Sequence, residues 1–154
     1  DVQNNPENVK KNWEELKIKE GNHSVLGGVP GTLPALIKAN RIQEKVRAVG
    51  FDWDKREQVW EKVEEELQEL QEEIEKMDRE HMEKEFGDVF FSLVNASRLC
   101  GIDPETALER TNIKFIKRFK YLESQTLKKG RDLRSMTLDE MNVIWEEAKL
   151  EDNK

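Results

Sequence analysis

A single cysteine, Cys100, excludes an internal disulfide, and its simplest place is as a small side chain in the core. Unbroken apolar sequence is equally scarce. The longest such stretch, "DVFFSLVNASRLCGI", is interrupted by Ser92, Asn95, Ser97 and Arg98, and so falls short of the ~20 apolar residues a membrane span requires. No membrane association is expected. Basic residues are in deficit: 26 Lys and Arg against 33 Asp and Glu give a net charge of -7, with a pI near 5.1. A nucleic-acid polymer would need a basic stripe to match its phosphates, so that partner is excluded, whereas small anions remain admissible where metal ions bridge them. No secretory leader is visible, which makes the cytoplasm the default compartment. The chain opens "DVQNNPENVKKNWEELK" without methionine, and we expect a fragment or an incomplete start.

Strand signals are absent too: no period-2 alternation of β-branched residues occurs, whereas 3.6-residue spacing recurs along the chain. The expectation is one all-α domain, because 154 residues suffice for one sizeable core and not for two ordinary domains. With 36% hydrophobic and 38% charged residues and a mean hydropathy of -0.87, that core must be concentrated in a few stripes. A first helix is expected from Pro6 to about Glu20, followed by the loop "GNHSVLGGVPG". A second, opened by Thr32 with Pro34 in its first turn, carries Leu36, Ile37, Ile42 and Val46 until Gly50 stops it. The third spans about residues 55 to 77, with Val59, Trp60, Val63, Leu67, Leu70, Ile74 and Met77 as one apolar stripe. A fourth runs from about Glu80 to Cys100. Asp103 caps and Pro104 starts a fifth, ending near Leu127. After the loop "KKGRDLRSM", Thr137 and Glu140 form a capping box for a last helix that ends near Glu147 or Lys149.

The chemistry concentrates in "EEELQELQEEIEKMDREHMEKEFGDVFFSLVN", residues 64 to 95. On a wheel of about 100° per residue with Glu65 at zero, Glu69 falls near 40°, Lys62 near 60° and Glu66 near 100°. These four share a face, and Glu66 abuts the apolar stripe. Glu61, Glu64, Glu72 and Glu75 point to solvent, while Glu73 falls on the inner flank and is not excluded by periodicity. In the fourth helix apolar residues follow Gly87 around nearly the whole circumference, which predicts a buried helix that draws Glu85 and Asp88 inward. A buried carboxylate must be protonated, paired or bound to metal, since ionised isolation costs several kcal/mol, or about that order. Hard divalent ions take oxygen ligands, and magnesium binds through a few carboxylates plus substrate phosphates. Structural ion pairs with Lys or Arg are the alternative. Gly87 in mid-helix costs about 1 kcal/mol relative to alanine, which suggests a close approach by another backbone or a ligand.

With Glu65, Glu66 and Glu69 as EExxE and Glu85 and Asp88 as ExxD, the chain resembles the MazG family of all-α nucleoside triphosphate pyrophosphohydrolases. The flanking segments "SVLGGVPGTLPALIKANRIQEKVRAVGFDW", "FGDVFFSLVNASR", "NIKFIKRF" and "LDEMNVIWEEAK" resemble family segments in the same order, so the resemblance covers nearly the whole chain. It implies a helical bundle of the all-α NTP pyrophosphatase type, completed by dimerisation. Residues 1 to 20 resemble the connector before the second domain of tandem MazG proteins, leaving 21 to 154 as the pyrophosphohydrolase domain. Carried over residue by residue, the resemblance makes Glu66, Glu69, Glu85 and Asp88 ligands to magnesium or manganese. Glu65 becomes a ligand or the base that orients water. Lys114 and Arg118 become phosphate contacts, joined by Lys62 from the acid face, and Trp145 lies near the base or sugar. His81 stands where relatives often carry lysine, which implies a phosphate contact that is weakened or made dependent on pH.

The implied reaction is NTP plus water to NMP and pyrophosphate, in a homodimer whose partners are nucleoside triphosphates. Neither the attacked phosphorus nor the base preference is legible in the sequence. Two other readings stay open: a narrower pyrophosphatase for dCTP, dUTP or phosphoribosyl-ATP, and a non-catalytic helical assembly module whose acids pair with Lys and Arg.

Overall fold

The structure, a computed structural model, describes residues 6–19, 24–52 and 55–154. The described residues form α1 (Pro6–Lys19), α2 (Ala35–Ala48), α3 (Arg56–Lys76), α4 (Arg79–Leu99), α5 (Pro104–Lys128), a 3-10 turn (Leu133–Ser135) and α6 (Leu138–Glu151). No strand occurs among them, as the period of the apolar residues predicts. No helix among them is long and apolar enough to cross a membrane. The chain divides into two compact units, Asp1–Glu105 and Thr106–Lys154.

In the first unit α3 and α4 pack along each other, α2 lies on α4 and α1 on α2. Val59 and Val63 of α3 close over Ala96 of α4, with Leu99 packed against them. Each valine so buried stabilises the fold by about 1.5–3 kcal/mol. The expected α3 stripe splits in two. Val59, Val63 and Leu70 are buried, whereas Trp60, Leu67 and Ile74 are exposed. Met77 does not extend the stripe at all: it adopts the left-handed conformation at φ 56° that ends the helix, and is exposed.

The expectation that α4 is buried all round is also corrected. Val89, Ser92, Val94 and Ala96 are buried, but Phe90, Phe91 and Leu93 are exposed. Phe86, Phe90 and Leu93 recur at helical spacing on one face, which neither α2 nor α3 covers, because two neighbours shield only part of a helix's circumference. At Gly87 a built Cβ meets nothing within 4 Å among the described residues, so no backbone among them makes the close approach expected there. Cys100, expected in the core, is exposed just beyond α4.

The helix ends follow local chemistry. Thr32 does not cap α2, whose N-cap is Pro34 with no side-chain hydrogen bond. Gly50 does end it as expected, at φ 94°, where a side chain would be strained. Asp78 caps α4 by accepting from the His81 amide at 3.3 Å. In the second unit Thr137 accepts from the Glu140 amide at 3.2 Å while Glu140 accepts from the Thr137 amide, completing the capping box before α6. Leu122, Thr126, Ile144 and Ala148 are its buried residues.

Candidate metal centre

Helical spacing places Lys62, Glu65, Glu66 and Glu69 on one side of α3, and the α3–α4 pairing brings Glu85 and Asp88 to the same place. Glu66, Glu85 and Asp88 each offer a carboxylate oxygen, and these oxygens lie within 4.8 Å of one another. Glu66 is only 6% exposed. One of its oxygens, Oε1, accepts from Lys62 Nζ at 2.9 Å. Its other oxygen, Oε2, is buried with no hydrogen-bond partner among the described residues, and so is Oε2 of Glu85. Orphaned anionic oxygens in the interior are costly. Two of them converging with a third acid is the arrangement a hard cation satisfies, so the residues fit a divalent metal ion. The inward placement of Glu85 holds only in part, since it is half-buried, and that of Asp88 is corrected, since it is exposed beside the cluster.

Glu69 is half-buried at the edge of this group. The nearby Glu66 charge, ahead of desolvation and of Glu85 and Glu65, raises its carboxyl above the ordinary glutamate value. Without a cation this site therefore carries real like-charge repulsion. Lys62 answers some of it. Its ammonium is raised above the usual lysine value chiefly by the Glu66 hydrogen bond, and it also reaches exposed Glu65 at 3.3 Å. Glu73 stands outside the cluster, paired with Lys76 at 3.4 Å. Glu61, Glu64, Glu72 and Glu75 face solvent, as the wheel predicts.

The cluster borders a cavity of about 600 Å³ in the first unit, lined by Glu66 and Asp88 and by residues of α2 and α4. Gln43, Ser92, Asn95 and Arg98 line it as well, and the sequence reading missed all four. Ser92, Asn95 and Arg98 were legible only as interruptions of an apolar run. Gln43, 3% exposed between Ile42 and Val46, could have been flagged as a polar residue beside an apolar stripe.

The other candidates are placed as follows. His81 is tied to Asp78, ring Nδ1 to carboxylate at 2.5 Å, and that hydrogen bond is the main reason the Asp78 carboxyl falls below the usual range. In the second unit Lys114 is exposed one turn before Arg118. Arg118 is engaged by Asp152 at 2.6 Å. Trp145 packs against Phe115, with ring centroids 5.0 Å apart.

Comparison with known proteins matches the model of the "MazG nucleotide pyrophosphohydrolase domain" at residues 55–122, the segment that contains all five acids. The chain is 42% identical over 142 residues to the nucleoside triphosphate pyrophosphohydrolase/pyrophosphatase MazG of Thermotoga maritima, covering 90% of this chain and 54% of that protein. It is 34% identical over 151 residues to the nucleoside triphosphate pyrophosphohydrolase of Escherichia coli K12, covering 94% of this chain and 57% of that one. It is also 46% identical over 154 residues to YabN of Bacillus subtilis, of which it covers 32%. The chain thus spans about half the length of the first and second of these relatives and a third of the last.

Proposed function

We propose, from the premise that this chain belongs to the MazG family, that it is a magnesium-dependent nucleoside triphosphate pyrophosphohydrolase. It would convert NTP and water to NMP and pyrophosphate. The observation that carries this reading is the convergence of Glu66, Glu85 and Asp88 within 4.8 Å, with buried oxygens of Glu66 and Glu85 left without partners. Those three and Glu69 would hold the divalent ion, magnesium or manganese. The ion supplies charge neutralisation of the triphosphate and acidification of water. Glu65, exposed on the same helix face with one oxygen shared with Lys62, orients the attacking water and takes its proton on the other oxygen. As the water oxygen bonds to phosphorus, the bond to the departing phosphate oxygen breaks and its electron pair leaves with that group.

Lys62, His81, Lys114 and Arg118 are the groups we assign to phosphate, and Trp145 to the base or sugar. Ammonium and guanidinium donors suit phosphate oxygens. Arg118 must then share or leave Asp152, and His81 must share Asp78. A homodimer is part of the same reading, supported by the exposed faces of Trp60, Leu67 and Ile74 on α3 and of Phe86, Phe90 and Leu93 on α4. So are a cytoplasmic location and a connector role for residues 1 to 20, with residues 21 to 154 as the catalytic domain.

Pyrophosphate release from a panel of NTPs, with and without magnesium, tests the proposal, together with the magnesium dependence of melting. We expect release that requires the metal, and a melting temperature that magnesium raises in the wild type and not in Glu66→Gln. No release from any nucleotide and no effect of magnesium on melting would leave the acids as partners of lysine and arginine in an assembly module. Release from a single nucleotide would make it a narrow pyrophosphatase.

A further inference from the structure

A second cavity of the first unit, about 310 Å³, is lined by residues of α1 and α2 and by Arg98 of α4. Its charged lining is Lys10 and Lys11 of α1, Arg47 of α2 and Arg98, against Glu7 and Glu44. Four cations against two carboxylates leave a surplus of two positive charges, in a chain whose net charge is -7. Arg47 answers Glu7 at 3.2 Å and also reaches Asp52 at 3.1 Å. Lys10 and Lys11 are exposed, and neither is paired among the described residues. Arg98 is the buried member of the group, its side chain 8% exposed. Its Nη2 donates to Asp52 at 3.0 Å and to Asn95 at 2.6 Å. Its Nε and Nη1 are buried with no acceptor among the described residues. A guanidinium cannot shed its charge to relieve this, and buried donors left in this state call for external partners. Nε–H and Nη1 lie on opposite edges of the planar group, so one acceptor cannot serve both. Arg98 lines the cavity beside the acids and the second cavity alike, which gives two places from which acceptors can come.

We infer that the second cavity binds a small phosphate anion, inorganic phosphate or pyrophosphate, held by Lys10, Lys11, Arg47 and an unpartnered nitrogen of Arg98. None of Glu66, Glu69, Glu85 and Asp88 lines it, and the walls it shares with the cavity beside the acids are Gly50 and Arg98. The site is therefore distinct from the proposed metal centre. Arginine and lysine donors make their strong, charge-assisted hydrogen bonds to phosphate oxygens. A volume at the lower end of small-molecule pockets favours an inorganic anion over a nucleotide. Glu7 and Glu44 oppose the anion, so binding should be weak, with Kd of about 1 mM. Asp52 and Asn95, both held by Nη2 of Arg98, line the cavity beside the acids, so one side chain joins the anion to that cavity.

Melting in chelator tests this, because without a divalent ion the acid cluster repels anions. At a concentration of about 10 mM, phosphate or pyrophosphate should raise the melting temperature of the wild type by about 3–6 °C over sodium chloride of equal ionic strength. Lys10→Ala combined with Lys11→Ala should lose most of that shift while melting in chloride as the wild type does. Arg98→Lys keeps a positive charge and removes the unpartnered nitrogens, and it should abolish the shift. Its melting curve in chloride reports whether it folds; if it does not, the paired lysine substitutions decide. Lys114→Ala, in the other unit, should keep the full shift. A larger shift with pyrophosphate would identify the product of the proposed reaction as the occupant, and a larger shift with phosphate would identify free phosphate. No shift in the wild type, a shift that survives the paired lysine substitutions or a folded Arg98→Lys, or a shift lost in Lys114→Ala would overturn the inference. None of these readouts requires turnover, so failure of the proposed hydrolysis would leave the anion site standing, and the reverse.

Discussion

In the unit that ends at Glu105, polar groups are buried without being satisfied; in the unit that begins at Thr106, charges are matched. Every orphaned buried side-chain atom among the described residues belongs to the first: Asn40, Gln43, Glu66, Glu85 and Arg98. The second pairs Arg118 with Asp152 and Arg131 with Glu140, and its buried Thr126 hydroxyl donates to the Leu122 carbonyl at 2.8 Å. Satisfied groups hold a fold together, whereas a cluster of unsatisfied ones is a liability unless something else completes it. The contrast separates buried atoms that await a partner from pairs already made, of which Arg118 with Asp152 must be shared or opened for Arg118 to take phosphate, and it can be tested residue by residue.

The largest effect is expected at Glu85. Glu85→Gln removes one of the two orphaned carboxylates, and kcat/KM for NTP hydrolysis with magnesium should fall by about 100-fold or more. Its effect on stability should have the opposite sign. Taking a like charge away from Glu66, Glu69 and Asp88 relieves repulsion, so the melting temperature in chelator should stay level or rise. A drop in both activity and melting temperature would place Glu85 among the structural ion-pair residues and erase the contrast.

In the second unit the reverse holds at Thr137. Thr137→Ala breaks the capping box at the start of α6 and should remove about 1 kcal/mol of stability. For a chain of this size that lowers the melting temperature by about 2–4 °C. Pyrophosphate release measured well below the transition should not change. Loss of activity without loss of stability would mean that α6 contributes to the site through more than its fold.

These two residues also mark what the sequence made legible. The Thr137–Glu140 box is a local pattern, fulfilled within one turn of backbone, and it reads correctly from spacing alone. Glu66 was legible for a related reason: the wheel set it against the apolar stripe, and it is buried. What failed needed knowledge of neighbours. Phe90, Leu93 and Trp60 looked like core because they are apolar, yet which faces α2 and α3 leave bare depends on packing that periodicity does not encode. Asp88 follows the same logic, placed at the cluster but on its exposed side. Gln43 and Arg98 escaped because a polar residue in a helix defaults to the surface, and only the tertiary arrangement shows that their buried atoms lack partners.

The smallest effect, and the one that opposes the two units most directly, is in acid. Arg131, ahead of the Thr137 amide, holds the Glu140 carboxyl below its ordinary value of 4.5. A lowered folded value means that the unfolded chain binds the proton more readily. Glu140 therefore contributes stability that is complete above 4.5 and is lost as pH falls through the folded value. The gap in melting temperature between wild type and Glu140→Gln should be constant near neutrality and close on acidification. Glu69 has the opposite sign, because its raised folded value makes the native state bind the proton first, so its burden is present near neutrality and lifts as pH falls. In chelator, Glu69→Gln should melt slightly above the wild type at neutral pH, and that advantage should shrink in acid. Glu140→Gln should melt below the wild type at neutral pH, and that deficit should shrink. Gaps of the same sign would show that the acids of α3 are paired as thoroughly as those of α6, and the distinction between an unsatisfied and a matched unit would collapse.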